Sequence, residues 1–207
     1  PSIMYFVSKE NKSVHKTQVL NKDEKQYIMQ IANETWKFFE KYLNEENNYL
    51  ITDNYQEDRK QKIVKRTSST NIGLSLLAVI SAYDLKFISL DKATYLLDKI
   101  LFMVSGLEKW NGHLYNWYQI DDKKPLLPRY ISTVDSGNFI GYLYTTRAFL
   151  EDIKEKIEVG EIKEQENINK QQIINNIEYI TRLINETDFS LLYSKQHEIF
   201  SIGYNIE

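Results

Sequence analysis

The sequence predicts an all-α protein, a partial (α/α)6 toroid of helical hairpins with small β-hairpins in the connecting loops. Three observations predict it. Five segments repeat their apolar residues at the helical period. These segments alternate between a single apolar stripe and an apolar surface nearly all round, as an outer and an inner helix layer require. A polar loop precedes each all-round helix, so its side chains hang over one end of the ring.

Residues 1–22 have no sustained period and read as a linker or irregular segment, in which Ile3 to Val7 can form a short edge strand. Asp23 then caps a helix over about 24–43, whose Tyr27, Ile28, Ile31, Phe38, Phe39 and Tyr42 share one side while Lys25, Glu34, Lys37 and Lys41 take the other. The next helix, Ile72 to Leu85, is apolar nearly all round and predicts burial on every side. A third, about 91–109, returns to one stripe of Leu96, Leu97, Ile100, Leu101, Val104 and Leu107. The fourth, about 137–150, is again apolar all round through Phe139, Ile140, Leu143, Tyr144, Ala148 and Phe149, and turns charged beyond Glu151. The fifth, about 168–186, carries Ile173, Ile177, Ile180 and Ile184 on one stripe. Phe189 to Tyr193 and Ile199 to Tyr204 flank SKQHE and read as a β-hairpin. No sixth helix follows, so residues 23–207 read as the N-terminal portion of a ring within a longer polypeptide.

The two all-round helices echo one another, SSTNIGLSL against DSGNFIGYL, which places Asn71 and Asn138 at related positions. A helical glycine costs about 1 kcal/mol against alanine. Gly73 and Gly141 therefore predict close helix packing.

Composition excludes several function classes. A formal net charge of −3, from 26 basic and 29 acidic residues well mixed along the chain, lacks the clustered basic face of a nucleic-acid binder. Seven dispersed glycines form no phosphate-cradling motif, so no nucleotide cofactor is expected. There is no cysteine, and His15, His113 and His197 lie far apart, so neither a thiolate nor a zinc site is expected. No apolar run reaches the ~18 residues of a membrane span, and the segment reads as soluble.

The chemistry concentrates in residues 111–141, where Tyr115, Asn116, Trp117, Tyr118, Arg129, Tyr130, Asp135 and Asn138 combine aromatic rings with planar hydrogen-bonding groups. Sugars need this mixture, since their hydroxyls seek oriented partners and their C–H faces pack on rings. The same residues have a structural reading: His113 to Tyr118 alternates like a half-buried strand, and Asp135 or Ser136 can cap the fourth helix. Of the three tryptophans, Trp36 reads as core, Trp110 as a packing or capping residue at the end of the third helix, and Trp117 as the stacking ring. Arg66 reads as half of an ion pair or as a fork-shaped donor to sugar hydroxyls, with the ion pair favoured. Among the loop carboxylates Asp53, Glu57, Asp58, Asp121, Asp122 and Asp135, Asp53 suits an Asx turn and the two in DDKK suit solvent, so no catalytic pair can be assembled. Asp135, at the mouth of an inner helix, is the strongest candidate for ligand contact. Together Trp117, Arg129, Tyr130, Asp135 and Asn138 are expected to converge with Asn71 on one polar cleft.

Five blocks in order, DNYQED (53–58), KRTSSTNIGLSLL (65–77), GHLYNWY (112–118), PRYISTVDSGN (128–138) and IFSIGY (199–204), resemble the glycoamylase-like region of bacterial cyclic β-1,2-glucan synthases. Ser69 departs from the proline usual there, which bears on loop stiffness, and residues 158–172 match poorly. The resemblance implies part of the glucan-binding and transglycosylating region that cyclises a β-1,2-glucan chain. A non-catalytic glucan-holding module and part of an endo-β-1,2-glucanase are the alternatives. It also implies a β-1,2-glucan oligosaccharide and the remaining domains of the same polypeptide as partners, and acting carboxylates downstream of the IFSIGY hairpin. The implied setting is a soluble segment of an inner-membrane-associated bacterial protein, on its cytoplasmic side.

Overall fold

The computed structural model describes residues 19–164 and 168–206; the expected edge strand at Ile3 to Val7 lies outside them. The chain divides into two units, residues 1–32 and 33–207. Helix α1, Lys22–Tyr42, begins in the first and ends in the second.

In the first unit the cap of α1 is Asn21 rather than Asp23. The Asn21 side chain accepts from the Glu24 amide at 2.9 Å, and the Glu24 carboxylate accepts from the Asn21 amide at 2.8 Å. This reciprocal pair satisfies two amides that Asp23, already inside the first turn, cannot reach. Tyr27, Ile28 and Ile31 of the predicted stripe are exposed.

In the second unit α1 buries Trp36 and Tyr42, and Phe38 and Phe39 pack against the core. Four more helices follow: α2 Ser69–Asp84, α3 Leu90–Ser105, α4 Thr133–Glu158 and α5 Lys170–Glu186. Each begins on a side-chain cap, from Ser68, Ser89, Ser132 and Asn169, whose oxygen accepts from the amide three residues on. The sequence therefore starts α4 too late; Ser132, not Asp135 or Ser136, is its cap. Helix α3 stops at Ser105, short of the predicted 109. There Gly106 caps it, and the Lys109 ammonium folds back onto the carbonyls of Val104 at 2.7 Å and Leu107 at 3.0 Å.

Helices α2 and α4 lie side by side. Helix α3 packs on α2, α5 packs on α4, and α3 also meets α5. The expected two-layer arrangement follows, with α2 and α4 in one layer and α3 and α5 in the other. The predicted stripe is fully inside: Leu96, Leu97, Ile100, Leu101 and Val104 of α3, and Leu107 just beyond its end, are all buried. Helices α2 and α4 are not buried on every side, because Leu74, Val134, Tyr144 and Ala148 face outward. Gly73 does allow the close approach predicted, since a methyl group there would overlap the Tyr142 ring of α4. Gly141 does not; nothing lies within 4 Å of the place a methyl group would take.

Short antiparallel strand pairs decorate the helix ends. Strand β1, Arg66–Thr67, pairs with β4, Tyr118–Gln119, and β2, Lys109–Trp110, pairs with β3, His113–Leu114. Trp110 thus belongs to a strand rather than to α3, and stacks on Tyr204 with ring centroids 5.1 Å apart. The expected continuous strand over 113–118 is broken in two. His113 and Leu114 are both buried, against the alternation, and the Tyr118 hydroxyl turns back to accept from the Tyr115 amide and donate to the Glu108 carbonyl. The late hairpin is shorter than predicted, β6 Tyr193–Ser194 with β7 Ile199–Phe200, while β8, Gly203–Asn205, crosses to pair with β5, Tyr130–Ser132. Gly203 permits this crossing, as any larger residue would meet the Tyr130 ring and the Ile131 carbonyl.

Candidate functional site

The site forms where α2 and α4 begin. Both helices open on a serine cap fed by a short strand, β1 into Ser68 and β5 into Ser132, so their first turns stand adjacent. The cap register aligns Asn71 with Asp135, each three residues past its serine, rather than with Asn138 as the sequence echo suggests. The echo follows an Asn–Gly coincidence, whereas the backbone counts from the cap.

Across this junction Thr70 Oγ1 donates to Asp135 Oδ1 at 2.5 Å, and Asn138 Nδ2 donates to Thr70 Oγ1 at 3.3 Å. Beside it, Asn71 Nδ2 donates to Asp53 Oδ1 at 3.3 Å. The other Asp53 oxygen, Oδ2, accepts from Arg66 Nε at 3.0 Å, from Arg66 Nη2 at 2.9 Å and from Asn54 Nδ2 at 3.0 Å. Asp53 is therefore committed to an ion pair, not to an Asx turn. The favoured reading of Arg66 holds, and its guanidinium also lies 4.0 Å over the Trp117 ring. Asp135 and Asn138 are thus joined through Thr70, while Asn71, Asp53, Arg66 and the Trp117 ring form an adjoining network; the two meet only at the consecutive residues Thr70 and Asn71 of α2.

Arg129 and Tyr130 are held elsewhere. The Arg129 guanidinium donates to Glu108 Oε1 at 2.8 Å and sits 5.7 Å over the Tyr115 ring. Tyr130 lies in β5 opposite Asn205, with its ring across Gly203. Sequence reasoning missed the bridging role of Thr70, the Asp53 partner of Arg66 and the Glu108 partner of Arg129. Only the SSTN cap pattern hinted at Thr70, since the other pairs span 13 and 21 residues with no local signal.

Two hollows adjoin the network. One of about 160 Å³ lies among Phe38, Phe39, Ile51, Thr52, Asp53, Asn71 and Leu74. A larger one of about 580 Å³ has Arg66, Lys65, Gln56 and Gln119 in its wall. The site offers oriented donors and acceptors next to an aromatic ring, which suits a hydroxyl-rich ligand. Of the loop carboxylates the sequence offers, Asp53 is paired with Arg66, Asp121 pairs with Lys65 at 3.0 Å, Asp122 holds the Lys124 amide, and Asp135 accepts from Thr70.

His113 approaches Ser136 Oγ through Nδ1 at 3.0 Å and the Asp188 carbonyl through Nε2 at 3.1 Å. Both residues are buried, and these contacts tie β3 to α4 and to the chain after α5. Burial holds the imidazole below its ordinary pKa, partly opposed by Asp188. Burial likewise lowers Lys109, opposed by Glu186. Among the described residues no three His, Asp or Glu side chains are grouped to hold a metal ion, and no helix is long and apolar enough to cross a membrane.

No family model matches the chain. Over 143 residues, 69% of its length, it is 36% identical to the cyclic β-(1,2)-glucan synthase NdvB of Rhizobium meliloti, and it spans 5% of that relative. Among solved structures it is similar to an endo-β-1,2-glucanase from Chitinophaga pinensis, with TM-score 0.64 and 15% identity over 87% of this chain and 42% of that one. It is also similar to a putative glucoamylase from Bacteroides fragilis, with TM-score 0.61 and 13% identity over 88% of this chain and 43% of that one. A β-1,2-glucanase from Parabacteroides distasonis gives TM-score 0.59 and 15% identity over 84% of this chain and 22% of that one. The fold is that of a partial glycoamylase-like (α/α)6 toroid. The chain is related in sequence to a segment of a cyclic β-1,2-glucan synthase, as the five blocks imply.

Proposed function

We propose that this chain is part of the glucan-handling region of a cyclic β-1,2-glucan synthase, and that it holds a β-1,2-linked glucan chain over the first turns of α2 and α4. The observation that carries this reading is the hydrogen-bonded run Asn138, Thr70, Asp135 at the junction of the two helices, next to Asn71, Asp53, Arg66 and the Trp117 ring. A glucose unit needs both elements: paired hydroxyl partners and a ring face. Trp117, Asp135, Asn138 and Asn71 are assigned direct contacts; Arg129 and Tyr130 are left out of them, since Arg129 is bound to Glu108 and Tyr130 packs across Gly203. No catalytic carboxylate is assigned to this chain, since the acids near Asp135 are paired or turn-bound. Its role, at the cytoplasmic side of an inner-membrane-associated protein, is to bind and orient the glucan while the remaining domains of the same polypeptide supply chain transfer.

Calorimetric titration of the 207-residue chain tests the reading. Linear β-1,2-glucan oligosaccharides should bind at millimolar strength, about 4 kcal/mol, without turnover. Equal binding of β-1,4-linked oligosaccharides, or no binding of either, would reject it.

A further inference from the structure

We propose that Arg66 is a positioning residue that holds Trp117 as a one-sided stacking platform for the sugar; this inference rests on the glucan reading above. The guanidinium lies 4.0 Å from the centre of the Trp117 ring, so one face of the indole is covered by a planar cation in stacking contact. The cation is itself immobilised. Nε and Nη2 both bond Asp53 Oδ2, and the Asp53 amide donates to the Arg66 carbonyl at 2.8 Å, so the two residues are tied through backbone and side chain. Asp53 is in turn fixed to the first turn of α2 by Asn71.

The ring is thereby tied to the first turn of α2 through Arg66, Asp53 and Asn71. The loop backbone is held on either side of the ring, by bonds from the Asn116 amide to the Tyr130 carbonyl and from the Leu126 amide to the Trp117 carbonyl, each at 2.8 Å, and Arg66 lies over the ring itself. Asp53 engages two of the five guanidinium N–H groups. The Arg66 side chain is 41% exposed, so the remaining donors stand at the edge of the platform, within reach of hydroxyls on a sugar lying over the other ring face. Lysine cannot replace this arrangement, because a compact ammonium neither lies flat on an indole nor bonds a carboxylate through two nitrogens.

The test uses the 207-residue chain labelled with 5-fluorotryptophan. Its three tryptophans give three fluorine resonances, and Trp117→Phe identifies the one of interest. In the unsubstituted chain, titration with linear β-1,2-glucan oligosaccharide should move the Trp117 resonance. In Arg66→Met that resonance should shift and broaden before sugar is added, and glucan affinity should fall on the order of tenfold. Arg66→Lys should fail to restore either, and Asp53→Asn, which keeps the guanidinium but removes its anchor, should change both in the same direction. A glucan response in the unsubstituted chain that Arg66→Lys and Asp53→Asn leave unaltered overturns the positioning role alone. A Trp117 resonance that ignores glucan in the unsubstituted chain overturns the binding reading beneath it as well.

Discussion

Gly73 of α2 and Tyr142 of α4 share one space: the ring lies where a side chain on residue 73 would have to be. Turning the ring aside would still leave the Tyr142 Cβ in tight contact, 3.1 Å from the added methyl group. Gly73→Ala should therefore destabilise the fold by about 1–2 kcal/mol, the overpacking cost exceeding the gain in helix propensity. Gly141→Ala has open space around it and should raise stability by about 0.5–1 kcal/mol. Urea midpoints of the two variants should move in opposite directions; a shared direction would contradict the observed α2–α4 contact.

The buried His113 makes stability depend on pH. Its folded pKa lies below the ordinary value, chiefly through burial, whereas in the unfolded chain it titrates near pH ~6.5. The unfolded state then binds more protons in the interval between those values, so stability is complete above about pH 6.5 and declines as pH falls through the folded value. His113→Gln should flatten that part of the profile. Thermal midpoints between pH 8 and pH 5 would expose an unchanged slope, which would mean that other groups set it.

Asp135 and Ser132 separate binding from capping. Ser132→Ala removes the cap of α4 and should cost about 1 kcal/mol of stability while leaving glucan affinity intact. Asp135→Ala loses the Thr70 bond and an acid in the first helical turn, a similar stability cost of about 1 kcal/mol, and should also weaken glucan binding on the order of tenfold. Parallel melting and calorimetry decide: equal affinity in the two variants would reduce Asp135 to a structural residue.

Lys109 closes the end of α3 through two carbonyls. Lys109→Met keeps the aliphatic stem and leaves both acceptors without the ammonium, which should cost about 1–3 kcal/mol. A urea midpoint matching that of the unsubstituted chain would show that water replaces it without loss.

Much of the helical architecture was legible in residue spacing alone. The stripe of α3 from Leu96 to Val104 and the alternation implying two layers are local regularities, and burial follows the stripe directly; the apolar runs of α2 and α4 marked helices, but not burial on every side. Gly73 was also readable, because a glycine inside an apolar helix invites a packing reason. Tertiary structure alone decided that Gly141, with the same local signature, faces empty space. It also chose Asp53 as the partner of Arg66, sent Arg129 to Glu108, paired β8 with β5 rather than with the late hairpin, and set Thr70 against Asp135. Each of these joins segments between 13 and 75 residues apart, and their register depends on how whole helices seat against one another and leaves no period in the chain.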